Sequence, residues 1–143
     1  MSTTTEDWSR WPNFTPAEMG CRHCGRAVFH PGFMDQLQRL RDLVGAPLPV
    51  TSGARCKRHN DRPAAEGGAG GHPRSLHVFD HPQHPGQHGA LAVDVAVTDG
   101  HLRGILFATA WALGWSIGWN AKKGFLHLDR RDFVGLPQTG FDY

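Results

Sequence analysis

The sequence predicts a small α+β fold in which a central, mainly antiparallel sheet is packed by two or three helices. Three observations predict this class: an amphipathic helical pattern in the first half of the chain, a buried strand pattern in the second half, and a following pair of strands joined by a turn. With 143 residues, of which 39% are hydrophobic, the chain can bury one sizeable core. We therefore expect a single domain over residues 1–143.

The first helical pattern lies at residues 33–44. Apolar residues recur there at intervals of three and four positions, which is the spacing of one face of an α-helix. These residues are Phe33, Leu37, Leu40 and Val44. Gly45 and Pro47 follow directly, and this pair of residues is typical of a helix end.

A short strand is predicted at residues 48–52, and a long polar segment follows at residues 61–90. The second segment is rich in glycine, proline and histidine and has almost no periodicity. We expect a loop there, and one that is too long to be a plain connection between two elements.

The second half of the chain predicts three strands and one helix. Valines alternate with small or polar residues at 91–97, which indicates a buried strand. Residues 102–113 predict an almost wholly apolar helix, which we expect to be central. Residues 116–119 and 125–128 predict two strands joined by a turn, as in a hairpin, whereas the tail after Asp132 has no clear period.

Composition argues against nucleic-acid and membrane partners. The net charge is +2, from 15 Lys and Arg against 13 Asp and Glu, and the basic residues are scattered. No stretch approaches the ~20 apolar residues of a membrane span. The N-terminal segment MSTTTEDWSRWPNF also lacks the apolar part of a secretory signal. We therefore expect synthesis in the cytoplasm without a signal peptide and without membrane insertion.

The three cysteines form an odd-numbered set, which argues against a disulfide framework. Cys21 and Cys24 are separated by two residues, a gap found in structural zinc sites and in redox pairs. A zinc site would need two further ligands, for which Cys56 and His59 are the nearby candidates. Buried or unused thiols are the simpler interpretation, and both interpretations stay open.

Polar side chains of ligand type occur inside two predicted strands. Asp94 lies among apolar residues, and an ionised carboxylate is costly to bury unless it is paired or bound to a metal. In the segment GFLHLD, strand alternation places His127 and Asp129 on the same face. A histidine bonded to a carbonyl, or a carboxylate paired with Arg130 or Arg131, would explain each residue singly. Together with the histidine-rich loop, these residues match a zinc site with three protein ligands.

Five short motifs also occur in an order shared with a known family. They are FTPAEMGCRHC at 14–24, SGARCKRHN at 52–60, SLH at 75–77, AVD at 92–94 and FLHLD at 125–129. With these motifs, the chain resembles the M15 zinc peptidases, the D-alanyl-D-alanine carboxypeptidase-like group that includes phage cell-wall endopeptidases. The resemblance is to the small phage-type members in particular, and it implies their fold, which is also that of hedgehog-like domains.

The resemblance implies roles for individual residues. The zinc ligands that it implies are His77, Asp94 and His127. It also implies that Arg55 binds a carboxylate of the substrate, for which a guanidinium fork is suited, whereas the simpler alternative is a surface ion pair. Some relatives carry an acid three residues before the last histidine, a position held here by Gly124. Asp129 is the expected substitute in catalysis, or else a partner that orients His127.

The spacing departs from the family pattern at the first zinc ligand. The usual separation from histidine to aspartate is seven positions, whereas His77 and Asp94 are seventeen apart, so residues 78–88 resemble an insertion. If the insertion loops out, His77 keeps its place behind Ser75. Otherwise His88, six positions before the aspartate, replaces it. The serine context favours His77.

The remaining histidines of this loop, His72, His81, His84 and His88, are interpreted as ordinary loop residues. His81 and His84 could also be groups at the rim of the site, close to the substrate.

Taken together, the residues and the resemblance predict a monomeric zinc peptidase of peptidoglycan stem peptides, encoded by a phage or prophage. Both a D,D-carboxypeptidase and an endopeptidase of endolysin type fit, with release on lysis, transport in a virion or an intracellular role. Two other classes stay open. One is a noncatalytic zinc-containing module that binds the cell wall or belongs to a virion. The other is a histidine-rich metal-storage protein, which would have several weak sites.

Overall fold

The structure is a computed structural model that describes residues 7–81, 83–120 and 122–143. Within these ranges it has four α-helices and a five-stranded mixed sheet, which confirms the predicted α+β class. The helices are α1 (Pro16–Met19), α2 (Pro31–Val44), α3 (Lys57–Asp61) and α4 (Gly100–Ala112). The strands are β1 (Val50–Ser52), β2 (Ala92–Ala96), β3 (Ser116–Trp119), β4 (Phe125–Asp129) and β5 (Gly140–Asp142). Short 3-10 helices occur at Trp8–Arg10, Ala64–Glu66 and Arg131–Val134.

Parts of three sequence predictions fall outside the described residues. They are residues 1–6 of the N-terminal segment, residue 82 of the insertion and residue 121 of the turn between β3 and β4.

The sheet has the strand order β1-β2-β4-β3-β5. All neighbouring strands pair antiparallel except β3 and β5, which pair in parallel. The sheet is therefore mainly antiparallel, as predicted. Strand β5 is not predicted from the sequence, because the tail after Asp132 shows no clear period.

Helix α2 begins two residues before the predicted start. Pro31 occupies its first turn, and the His30 ring nitrogen accepts a hydrogen bond of 2.9 Å from the Gly32 N–H. Proline is favoured there because its missing N–H would have no partner within the helix. Gly45 ends the helix with φ of 72°, a left-handed conformation that glycine adopts without strain.

Helix α4 is peripheral, so the prediction of a central helix is wrong. Only Leu106 and Ala110 of this helix are buried, whereas 42% of Trp111 and 38% of Ile105 are exposed. Apolar composition alone suggested a central position, yet scattered apolar residues are common on protein surfaces. The helix covers one side of the sheet and leaves its own outer face in solvent.

The two faces of the sheet have different roles. Apolar residues of β2 and β4 alternate with the polar ones and lie on the face opposite to them. They are Val93, Val95, Leu126 and Leu128, all buried in one cluster with apolar side chains of α2 and α4. The polar face of these strands is thus free to form a site. Among the described residues, no helix has the length and apolarity needed to span a bilayer.

Candidate metal centre and active site

Asp94 and His127 are direct partners in the ladder between β2 and β4. Paired residues of an antiparallel ladder point to the same face, so their side chains lie side by side. His127 Nδ1 is 3.1 Å from Asp94 Oδ1. Asp129 is two residues beyond His127 on the same face, and all three side chains are buried.

His77 reaches this group from the loop between α3 and β2. Its carbonyl accepts a 2.8 Å hydrogen bond from the Arg55 N–H, and its own N–H donates to the Ser75 hydroxyl at 3.2 Å. Its Nδ1 lies 2.7 Å from the carbonyl oxygen of Gly53. Because a carbonyl only accepts, Nδ1 carries the hydrogen and Nε2 is left with a lone pair. The ring is fully buried, with this lone pair directed at Asp94 and His127.

The three candidate ligand atoms have the separations of a metal site. His77 Nε2 lies 3.3 Å from both Asp94 Oδ1 and His127 Nδ1, and the third separation is 3.1 Å. In a tetrahedral site with bonds of about 2.0–2.1 Å, ligand atoms are about 3.3 Å apart. Two imidazole nitrogens and a carboxylate oxygen are also ligands that zinc prefers. The residues therefore fit a zinc ion in both chemistry and distance.

The hydrogen-bond partners of the two rings leave acceptor atoms facing one another. His127 Nε2 is 2.8 Å from Asp129 Oδ2, so this nitrogen carries the hydrogen of a neutral ring. His77 Nε2, His127 Nδ1 and Asp94 Oδ1 then form a buried set of three acceptors. Such a set is costly unless a cation or an additional proton stabilises it.

Protonation of the two histidines differs in the metal-free protein. Burial, together with the charge of Arg55, lowers the pKa of His77 to about 4. Burial also disfavours the charged form of His127, but hydrogen bonds to Asp129 and Asp94 outweigh it and raise the pKa of His127 above its ordinary value. Without a metal, an additional proton is therefore held more readily by His127 than by His77. A metal ion that binds there must displace it.

Asp129 lies against the far nitrogen of His127. Its carboxylate accepts from His127 Nε2 and also from the Arg131 guanidinium, at 3.0 and 2.8 Å, and it is fully buried. The pairing with Arg131 is one of the simpler alternatives that the sequence left open, whereas Arg130 pairs with Asp132 instead. These contacts are those of a carboxylate that orients a metal-binding histidine.

Arg55 forms a buried ion pair rather than a surface one. Its Nη2 donates to Asp94 Oδ2 at 3.0 Å, its Nε donates to the Ser52 hydroxyl at 2.9 Å, and its Nη1 lies 3.4 Å from Asn60 Oδ1. Only 7% of its side chain is exposed. Asp94 thus directs one oxygen to the two histidines and the other to Arg55. The supporting roles of Ser52 and Asn60 were not predicted, although both residues lie in the SGARCKRHN motif.

Two aromatic rings, those of Phe141 and Tyr143, pack against the site and were not predicted from the sequence. The Tyr143 ring is 4.5 Å from the His127 ring, and the Phe141 ring is 5.6 Å from it. The Tyr143 hydroxyl also lies 3.4 Å from Asp94 Oδ2. Gly118 leaves room for these two rings, because a Cβ there would approach the Phe141 ring to 2.6 Å. The sequence after Asp132 has no periodicity that would indicate these residues.

A cavity of about 490 Å³ opens beside the group. Its lining includes His127 and Arg55, the aromatic pair Phe141 and Tyr143, and further cationic or basic side chains. The last are Arg74, Arg131, His72 and His84. The cavity is therefore lined by part of the candidate metal centre and by three arginines, together with the carboxylates Asp129 and Asp142.

The segment after His77 forms a loop whose two ends lie close together. The Leu91 N–H donates to the Leu76 carbonyl at 2.8 Å, so the chain returns beside its starting point directly before β2. The Gln87 amide closes the base of the loop by donating to the carbonyls of Val78 and Gly89, both at 3.0 Å.

The loop separates its histidines. His77 lies in the buried group, whereas His88 is exposed. His84 lines the cavity and bonds to the Arg74 carbonyl at 2.8 Å, while His81 is exposed. Of the two ligand candidates, the structure brings only His77 to Asp94 and His127.

The chain is also similar to a known protein family. The sequence profile of the peptidase M15 family matches residues 12–129, which include His77, Asp94 and His127. The chain belongs to the peptidase M15 family. This membership confirms the resemblance and implies a metallopeptidase, since M15 peptidases depend on zinc. No curated protein and no solved structure matches the chain. Phe141 and Tyr143 lie beyond the part that the M15 profile matches.

Proposed function

We propose that the protein is a zinc peptidase that hydrolyses peptide bonds in peptidoglycan stem peptides, as a D,D-carboxypeptidase or as an endopeptidase of endolysin type. The observation that carries this proposal is the convergence of His77 Nε2, Asp94 Oδ1 and His127 Nδ1 beside a cavity. Membership of the M15 family supports the peptidase chemistry. We further propose that the protein acts as a monomer, is encoded by a phage or prophage, and reaches the wall on lysis or in a virion.

In this proposal, His77, Asp94 and His127 hold the zinc ion and leave a fourth position for water or substrate. When bound, zinc supplies Lewis-acid activation of the scissile carbonyl and of the attacking water. Asp129 fixes the orientation of His127, and Arg131 fixes Asp129 in turn. Asp129 is therefore proposed as a positioning residue rather than as the proton carrier.

The cavity lining has three arginines, Arg55, Arg74 and Arg131, against two carboxylates, Asp129 and Asp142, and this excess of positive charge supports a substrate that carries a carboxylate, as stem peptides do. A guanidinium has five N–H donors, so Arg55 can bond to Asp94 and still present N–H groups to a second carboxylate. Arg74 adds an exposed cation to the lining of the same cavity. Positive charge at a cavity also accelerates the approach of an anionic substrate.

Digestion of purified sacculi tests this proposal. The zinc-loaded protein should release peptide fragments or D-alanine, whereas His127→Ala, which lacks a zinc ligand, should release neither. Mass spectrometry of the soluble products identifies the bond that is cut, and His88→Ala serves as a control because that side chain is exposed. If the wild type releases no more than His127→Ala, the proposed substrate is wrong. Binding to sacculi without cleavage would instead support a noncatalytic wall-binding module.

Substitution of Asp129 separates a positioning role from proton transfer. We expect Asp129→Asn to weaken zinc binding by about 10–100-fold, the usual effect of removing a carboxylate behind a metal-bound histidine. At saturating zinc, kcat should stay close to that of the wild type. Chelator competition gives the affinity, and Asp132→Asn is a matched control because that carboxylate is 40% exposed. A large loss of kcat in the zinc-saturated variant would identify Asp129 as the proton carrier instead.

A further inference from the structure

A second group of metal-ligating side chains lies apart from the His77, Asp94 and His127 group. The ligand atoms of Cys21, Cys24 and Cys56 all lie within 4.8 Å of one another, and all three thiols are free. The sulfur atoms of Cys21 and Cys56 are 3.7 Å apart. In a tetrahedral site with Zn–S bonds of about 2.3 Å, two sulfur atoms are about 3.8 Å apart. The observed separation is therefore that of two thiolates on one ion.

The backbone around Cys21 has the form of a tight turn that exposes N–H groups to sulfur. The Gly25 N–H donates to the Cys21 carbonyl at 2.8 Å, and Gly25 has φ of 76°, which favours glycine. The N–H groups of His23 and Cys56 donate to Cys21 Sγ at 3.4 and 3.3 Å. Bonds of this kind stabilise a thiolate, which is the form that binds metals.

His23 is a candidate fourth ligand, whose ring would have to turn to join the three sulfur atoms that lie within 4.8 Å of one another. Its Nδ1 lies 3.5 Å from Cys56 Sγ, and a nitrogen and a sulfur on one tetrahedral zinc ion are about 3.6 Å apart. His59, the candidate that the sequence suggested, contacts Cys56 Sγ through its backbone N–H at 3.4 Å, where the cysteine caps helix α3. The contact of His23 is therefore made by a ligating ring atom, whereas that of His59 is not.

We propose that Cys21, Cys24 and Cys56, with His23 as the fourth ligand, hold a structural zinc ion. Three thiolates and one imidazole form a closed tetrahedral set, which is characteristic of structural zinc because no position is left for a substrate. The proposal does not depend on peptidase activity.

This zinc ion would tie the N-terminal turn to the segment that positions the active site. Cys56 directly follows Arg55, the partner of Asp94, and the Gly53 carbonyl holds the His77 ring. A cross-link at Cys56 would restrict this segment at its C-terminal end. Metal binding there would contribute to folding stability, because the unfolded chain has no preformed site.

Metal content of the full-length protein, purified under reducing conditions, tests the proposal. The wild type should contain two zinc ions per chain. His127→Ala and Cys24→Ser should each contain one, because each variant lacks a ligand of a different site. Cys24 is suited to this substitution because its side chain is exposed and contributes nothing to the core. His23→Ala should bind the second ion much more weakly, whereas His59→Ala should bind it as the wild type does.

Cobalt substitution gives a spectroscopic readout of the same site in addition to the metal content. Cobalt-loaded His127→Ala should show the intense near-ultraviolet absorption of thiolate-to-cobalt charge transfer, and Cys24→Ser should lack it. A His127→Ala protein with no bound metal and no such absorption would overturn the proposal. So would a Cys21–Cys56 disulfide in protein purified under these conditions. Loss of the second ion in His59→Ala but not in His23→Ala would overturn the assignment of the fourth ligand.

Failure of the structural zinc proposal and failure of the proposed function give different experimental results. If the thiolate absorption is absent, zinc binding by the His77, Asp94 and His127 group and digestion of sacculi can still be measured. Inactivity on sacculi, in turn, leaves the cobalt spectrum of His127→Ala unchanged.

Discussion

His77→Ala should lose the zinc ion of the His77, Asp94 and His127 group together with all turnover, whereas His88→Ala should keep both. The reason is geometric. His77 Nε2 already lies 3.3 Å from both other ligand atoms, and its ring is fixed by a 2.7 Å hydrogen bond to Gly53. A tetrahedral site tolerates little displacement, since ligand nitrogens must lie about 2.0–2.1 Å from the metal.

The measurement is zinc per chain, which should fall by one in His77→Ala relative to the wild type and stay unchanged in His88→Ala. His88 is a matched control because it is an exposed histidine of the same loop. Zinc retained in His77→Ala but lost in His88→Ala would reverse the assignment. In that case residues 78–88 would be rearranged on metal binding, with His88 brought to the centre.

The longer elements that the sequence predicted display a period, whereas the short strands β1 and β3 were predicted from apolar residues next to turn residues. Helix α2 spans almost four turns, and strands β2 and β4 each show alternation over five residues. Helices α1 and α3 have four and five residues, so they contain too few turns to reveal a buried face. Their starts are fixed by side-chain caps from Thr15 and Cys56. The pattern of Thr15, Pro16 and Glu18 is a sequence signal that could have indicated the start of α1, whereas a cysteine cap is not such a signal.

Part of the candidate site follows from strand alternation and part does not. Alternation places His127 and Asp129 on one face, and it places Asp94 opposite its valine neighbours. That Asp94 pairs directly with His127 depends on the register between β2 and β4. Register is set by the whole sheet and its core, so a one-residue shift that local patterns cannot exclude would separate the two ligands.

The position of His77 depends on contacts made by the ends of its loop. The bond from the Leu91 N–H to the Leu76 carbonyl and the bonds of the Gln87 amide close the loop behind His77. Leu76 and Leu91 lie at opposite ends of the loop, and loop length alone costs little free energy. Spacing in the sequence could therefore suggest an insertion without showing where it closes.

The roles of Asp129 and Arg55 needed the three-dimensional contacts. The sequence offered two roles for Asp129, and only its burial between His127 and Arg131 favours orientation over proton transfer. For Arg55 the alternatives were substrate binding and a surface ion pair. Its pairing with Asp94 is buried, so the residue is linked to the candidate metal centre itself.

Asp94 connects metal binding with the charge of Arg55. Its Oδ1 faces the two histidines, and its Oδ2 accepts from the guanidinium at 3.0 Å. A buried carboxylate needs a counter-charge, and in the metal-free protein Arg55 is an adjacent one. Zinc at the three ligands would supply a second positive charge to the same carboxylate. Stability and zinc binding should therefore be coupled through this residue.

Arg55→Met should destabilise the metal-free protein by at most about 3–5 kcal/mol, the usual cost of leaving one member of a buried ion pair without its partner, because a proton on the adjacent His127 balances part of the charge of Asp94. The loss of stability should be smaller in the zinc-loaded protein, because the ion then balances the charge of Asp94.

Arg55→Lys should retain zinc and most of the stability. Its kcat/KM on stem peptides should nevertheless fall by about 10–100-fold, since an ammonium group cannot reproduce the planar fork whose charged hydrogen bonds contribute about 1.5–3 kcal/mol.

Urea unfolding with and without zinc measures the first effect, and Arg10→Met is its matched control. Arg10 pairs with Asp35 at 2.9 Å, but the two side chains are 53% and 46% exposed. Exposed pairs contribute at most about 1 kcal/mol, so the control should lose little, and equally with and without zinc. A metal-free Arg55→Met as stable as Arg10→Met would show that Asp94 does not need Arg55. Unchanged kcat/KM in Arg55→Lys would confine Arg55 to the support of Asp94, because substrate binding through the fork requires a geometry that lysine lacks.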